Sequence, residues 1–204
     1  MDAHSSTTSP TSFPRSRLSG EARRDAIFAA AKRVFGRSGY HATTIRDMAA
    51  EAGVSEALLY QHFEGKRQLF MELVTAAAAD LEARLLVARS QAQPDAVIAA
   101  YFDFVAQESE LYRVFFRQAA QADGALQELY RQLWARFINL MREAQPLSEA
   151  GAHALAGMMN ELALWWLEEG QLGKEEIVRR ACRMARALCE SEVEHGPEHP
   201  TRAG

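Results

Sequence analysis

Residues 44–63 hold two short helical patterns joined by only three residues, Gly53-Val54-Ser55, and few folds accept so abrupt a join. The first pattern, over 44–52, sets Ile45, Met48 and Ala49 on one face at helical spacing, with Thr43 as its expected N-cap. The second covers 56–62, with Phe63 closing it onto a core. Glycine at 53 lets the first helix end in the left-handed region without strain. Val54 can bury itself between the two helices, and Ser55 caps the second. A helix, a sharp turn and a second short helix are the parts of a helix-turn-helix unit, whose second helix enters the major groove by its N-terminal end.

The remainder is built for helices as well. Hydrophobic residues make up 48% of the 204-residue chain and charged residues 25%, and the abundant types are good helix formers. The expectation is an all-α protein of about nine helices. Ile27, Ala30, Ala31, Val34 and Phe35 form the stripe of a first helix from about Ser19 to Gly39. Leu69, Phe70, Leu73, Val74, Ala77, Leu81, Leu85 and Leu86 recur along one long helix over 66–91 that links two domains. Further helices are expected from Pro94, over 111–117, 125–144, 148–169 and 174–189, with Pro146, Gly170 and Gly173 as breaks. The domains are then a disordered arm at 1–17, a helix-turn-helix unit at 18–66, a ligand-binding and dimerisation domain at 67–190, and a flexible tail at 191–204.

Several function classes find no support. No apolar run approaches the roughly 18 residues of a membrane span, and the first 17 residues lack a signal-peptide pattern, so a cytoplasmic location is expected. No His-Glu-x-x-His, Gly-x-Ser-x-Gly, phosphate-cradling loop or Cys/His cluster is present, so no catalytic residue, metal or cofactor is assigned. Cys182 and Cys189 fall about 10 Å apart along one helix, too far for a bridge within it. They read as small buried hydrophobes, with a thiol sensor or a bridge across a dimer as the alternative.

The string GYHATTIRDMAAEAGVSEALLYQHFEGKRQLF resembles the N-terminal signature of TetR-family regulators, over about fifty residues once the first helix is included. The matching features are Thr44 opening the second helix, the Ala49–Ser55 turn, Leu59-Tyr60-x-His62-Phe63, and Lys66 starting the fourth helix. The sequence departs from the commonest form at Ala57 and Leu58, positions that bear on which operator is read. The resemblance implies an operator-binding regulator that is not an enzyme. It places Thr44, Tyr60, His62 and Lys66 on phosphates, and Arg46, Ser55, Glu56, Ala57 and Gln61 near base edges. Charge asymmetry agrees with that reading. Residues 15–67 carry ten Lys or Arg against six Asp or Glu, whereas residues 71–204 carry thirteen against twenty.

In the rest of the chain the resemblance is one of layout only. Tyr101, Phe102, Phe104, Tyr112, Phe115, Phe116, Trp134, Phe137, Met141, Met158, Met159, Trp165 and Trp166 give an aromatic and methionine density suited to an apolar pocket or an ordinary core. The pocket residues singled out are Tyr101, Phe102, Phe115, Trp134, Phe137, Met158, Asn160, Glu161 and Trp165, and the effector expected is a small apolar or amphipathic molecule. His153 is a further polar candidate. A homodimer is expected through helices 8 and 9, using Leu155, Met159, Leu162, Trp166, Ile177, Met184 and Leu188, because two recognition helices must reach half-sites about 34 Å apart. Effector binding would then favour a domain arrangement that no longer fits successive grooves, releasing double-stranded operator DNA as from a repressor, with helix 4 carrying the motion. Activation is the alternative; an enzyme is the main rival class, for which the motifs are missing, and a helical carrier or scaffold that does not bind DNA is the second rival.

Overall fold

Nine α-helices follow one another in the computed structural model, which describes residues 20–91, 93–119, 124–145 and 147–195. They are α1 (Gly20–Ala42), α2 (Ile45–Ala52), α3 (Glu56–His62), α4 (Lys66–Ser90), α5 (Pro94–Gln107), α6 (Ser109–Ala119), α7 (Gly124–Ala144), α8 (Glu149–Glu169) and α9 (Lys174–His195). Among the described residues no helix is long and apolar enough to cross a membrane. The arm at 1–17, with its Arg15 and Arg17, and the last residues of the expected tail, 196–204, lie outside the described residues.

The first three helices close on one another through local chemistry. The α1 helix breaks at Gly39, whose φ of 73° suits glycine, and resumes to Ala42 instead of stopping there. Thr43 was the expected cap of α2, but its side chain is buried and donates to the Gly39 carbonyl at 2.7 Å. The cap is Thr44. Its hydroxyl accepts from the Asp47 amide at 3.2 Å, and the Asp47 carboxylate accepts from the Thr44 amide at 2.9 Å, a reciprocal capping box. Gly53 ends α2 at φ 66°, and the Val54 amide returns to the Ala49 carbonyl at 3.0 Å. Ser55 then accepts from the Leu58 amide at 3.2 Å, so α3 begins at once.

Two hydrophobic clusters hold the chain together. The N-terminal cluster joins Ile27, Val34, Phe35, Met48, Leu59, Phe63, Phe70 and Leu73, and is completed by Leu111 and Val114 of α6 and Leu126 of α7. It therefore extends past residue 66. The C-terminal cluster contains Tyr101, Phe102, Val105, Phe137, Met141, Ala156, Met159 and Ile177. The α4 helix serves both, through Leu69 to Val74 at one end and Leu85 and Ala88 at the other. Leu86, counted in its sequence stripe, points outward. The α9 helix continues past the expected end at Cys189 to His195. Cys182 is buried, and burial first, then Asp95, push its thiol up to about 11, which keeps it protonated and poorly nucleophilic.

Glu51 of α2 ties the helix-turn-helix unit to α1, accepting from Arg33 Nε and Arg37 at 2.7 Å each. Hydrogen bonds from Arg37 and then Arg33 lower its carboxyl from 4.5 to about 2. A carboxylate depressed in the folded state adds stability that is complete above the unfolded value and is lost as pH falls through the folded one. Glu51→Gln is expected to lower the melting temperature near neutrality and to flatten its fall between about pH 4.5 and 2. Calorimetry across that range checks this, and an unchanged acid limb would show that the cluster adds nothing.

Candidate nucleic-acid interface and effector cavity

The turn between α2 and α3 leaves one face of the unit open. Leu59 and Phe63 anchor α3 inward with 0% and 2% exposure, which turns Glu56, Ala57, Tyr60 and Gln61 to the outside. Tyr60 is 57% exposed, a large ring with little to cover it. Arg46 and Ser55 are exposed on the same unit, and His62 is half-buried with its ring 6.3 Å from that of Phe63. Arg33 and Arg37 are held by Glu51, whereas no ion pair described here engages Arg46, whose guanidinium is available to an anion.

Two of the expected phosphate contacts have internal duties. The Thr44 hydroxyl donates to the Asp47 carboxylate at 2.6 Å besides capping α2, and this bond holds the Asp47 carboxyl below its usual range. The Lys66 ammonium donates to the carbonyls of Tyr40 at 2.8 Å and His41 at 3.1 Å, and sits 4.6 Å from the Tyr40 ring centre. It thus fastens the start of α4 to the end of α1. Burial lowers its pKa, and one of its three protons remains for a phosphate.

A cavity of about 100 Å³ lies between α4, α5, α6 and α7. Val74, Ala77, Ala78 and Leu81 line it from α4, Tyr101 and Phe104 from α5, Leu111, Tyr112, Phe115 and Phe116 from α6, and Tyr130, Leu133, Trp134, Phe137 and Leu140 from α7. The wall is nearly all hydrocarbon and ring. Of the residues singled out in the sequence, Tyr101, Phe115, Trp134 and Phe137 are in this wall. Phe102 is not: it is wholly buried on the far side of α5, edge-on to Trp166 at 5.9 Å. Met158, Glu161 and Trp165 also lie outside the wall, Glu161 and Trp165 being exposed on α8. Asn160 stands one bond behind it, accepting from the Tyr112 hydroxyl at 2.7 Å, and Tyr112 meets Tyr101 at 2.5 Å. The α4 contributions and Leu111 of α6 escaped the sequence reading because small and aliphatic residues at helical spacing look the same in a packed core.

The residues expected at a dimer interface divide by burial. Leu155, Met159 and Ile177 are buried inside the chain at 2%, 0% and 0% exposure, so they are core and not interface. Leu162 and Leu188 are half-buried, packed against the same core. Trp166 is partly buried too, donating to the Leu172 carbonyl at 2.8 Å. Met184 is 47% exposed on α9, and Trp165 is 39% exposed on α8. Ala154 of α8 and Ala187 of α9 are exposed as well.

Comparison with known proteins agrees with this geometry. Residues 27–73 match the family described as bacterial regulatory proteins, tetR family. The transcriptional activator FasR of Mycolicibacterium smegmatis is 33% identical over 105 residues, 49% of this chain and 48% of that protein, so the match spans about half its length. The transcriptional repressor BepR of Brucella suis is 25% identical over 178 residues, 76% of this chain and 85% of that protein. A tetR-family regulator from Streptomyces coelicolor superimposes with a TM-score of 0.75 at 21% identity, covering 89% of this chain and 86% of that one. FadR of Bacillus subtilis, solved in complex with stearoyl-CoA, gives 0.69 at 18% identity, covering 81% and 97%. These likenesses to solved structures concern the fold. Residues 27–73 therefore carry the sequence signature of tetR-family regulatory proteins in a helix-turn-helix geometry, and the described chain has the fold seen in TetR-family structures.

Proposed function

We propose that the chain is a cytoplasmic, homodimeric repressor that holds operator DNA through α3 and is released when an apolar or amphipathic small molecule enters the cavity. The carrying observation is the outward face of α3, where Tyr60 stands 57% exposed over the buried Leu59 and Phe63. An exposed aromatic ring next in sequence to Gln61, with Arg46 exposed on α2 and in no ion pair described here, suits a groove edge and its phosphates. Repression is favoured because the repressor relative is matched over more of the chain than the activator. A structural neighbour was solved with stearoyl-CoA, whose long acyl chain supports an effector with an apolar part. The partner's α8 and α9 would meet Trp165 and Met184, with Ala154 and Ala187 permitting close approach.

Two routes carry the signal from cavity to DNA. The α4 helix belongs to both cores. The second route is α6. Glu108, in the cavity wall at its start, accepts from Lys32 of α1 at 2.7 Å. Glu110 lies so close to Gly36 of α1 that a Cβ there would fall 2.7 Å from it. A ligand that pushes α6 outward therefore moves the helix on which the recognition unit is built, shifting its populations.

Binding to DNA from upstream of the chain's own reading frame, backed by selection from random oligonucleotides, tests the core reading. Fluorescence anisotropy is expected to show specific binding that weakens steeply with salt. Tyr60→Ala should weaken it, and Arg46→Ala should reduce the salt slope by about one. Binding without sequence preference, or none at all, would favour a carrier instead. Sedimentation tests the dimer face: Trp165→Glu with Met184→Glu should give folded monomers that bind DNA at least about tenfold more weakly. A dimer that survives both changes lies elsewhere. For the second route, Gly36→Ala should weaken operator binding about fivefold or more. Gly20→Ala, where a Cβ meets nothing within 4 Å, should not. Equal affinities for the two variants would remove α6 from the pathway.

A further inference from the structure

Resting on the effector-binding reading above, we infer that the effector is an uncharged, ring-bearing molecule with one hydroxyl-type group that docks on the Tyr101–Tyr112–Asn160 chain. Three observations define this class. The first is the wall, where Tyr101, Tyr112, Phe115, Phe116, Trp134 and Phe137 present ring faces and edges from three helices. Tyr130 and Trp134 stack within 6° of parallel, and Tyr101 and Phe137 stack with centres 5.2 Å apart. Stacked and edge-on rings favour a flat ring between them, and the cavity of about 100 Å³ is of single-ring scale. An apolar cavity of about 150 Å³ in another protein admits benzene, so this one must open slightly to take a substituted ring.

The second observation is charge. Each ionic group in the wall already has a partner: Glu108 is bound by Lys32 and Glu82 by Arg136. An ionised ligand would have to break one of these pairs or enter unpaired, and both cost more than a neutral one.

The third observation is the polar chain. The Tyr112 proton goes to Asn160 Oδ1, so the 2.5 Å contact between the two phenols is made by the Tyr101 proton. The Tyr101 oxygen is left with lone pairs that no further described hydrogen bond uses. Burial raises both phenols above their ordinary pKa, so they stay neutral donors and acceptors. A ligand hydroxyl donating to Tyr101 extends the chain by one bond. Asn160 thereby acts as a positioning residue that fixes the polarity of the tyrosine hydroxyls.

The test uses 4-ethylphenol, ethylbenzene, 4-ethylbenzoate and stearoyl-CoA as probes, with calorimetry on the full chain and anisotropy of its DNA complex. 4-Ethylphenol is expected to bind about tenfold tighter than ethylbenzene, the scale of one hydrogen bond to a buried group. 4-Ethylbenzoate should be the weakest ring. Tyr101→Phe should reduce the phenol preference to within about twofold while ethylbenzene affinity holds, a split that a misfolded variant would not give. Equal binding of phenol and hydrocarbon, tighter binding of the benzoate or of stearoyl-CoA, or failure of all rings to bind would overturn the assignment. DNA binding by the ligand-free protein reports separately on the regulator itself. Its loss sinks that reading, whereas its persistence beside failed ring binding sinks only the effector class.

Discussion

The N-terminal core closes because α6 lends it Leu111 and Val114 and α7 lends it Leu126. A unit of about fifty residues buries too little surface to be robust by itself, and here its missing wall comes from the helix that also lines the cavity. Gly36 makes the contact possible, since any side chain there would strike Glu110. A displacement of α6 therefore reaches both the cavity wall and the core beneath α3. The cavity and the N-terminal core share a wall, so one packing event affects both.

The cavity follows a similar economy. Its ring-rich lining gives bulk and shape, while its charged groups are committed in pairs, Glu108 to Lys32 and Glu82 to Arg136, and Tyr112 is bonded to Asn160. Such pairing makes an apolar site stable without a ligand, because buried polar atoms are costly only when unpartnered. An ionised guest would have to disturb one of these ion pairs, whereas a hydroxyl could be met by a wall phenol. The Lys32–Glu108 pair belongs to both systems: it neutralises the wall and grips α1.

What could be read from the chain was what neighbouring residues decide. Gly53, Val54 and Ser55 announce their turn because a left-handed stop and a hydroxyl cap are local requirements, and the structure shows both. The long stripe of α4 was equally plain, since its period persists over many turns. The choice between Thr43 and Thr44 as cap was not local. Either can cap, and burial of Thr43 under the Gly39 carbonyl settles it in favour of its neighbour.

Tertiary structure alone decided which apolar residues became core, cavity or outer face. Leu155, Met159 and Ile177 share the chemistry of an interface, yet α5 and its neighbours bury them inside the chain. Trp165 and Met184 are no more apolar and remain outside. Phe102 and Tyr101 are adjacent in sequence, and only the roll of α5 sends one to the cavity and the other toward Trp166. Periodicity identifies a stripe on a helix but not the element that will cover it. The sequence by itself therefore determined the helices and the turn from Gly53 to Ser55, because those are set by neighbouring residues, while packing among distant helices decided which threonine caps α2 and where the cavity lies.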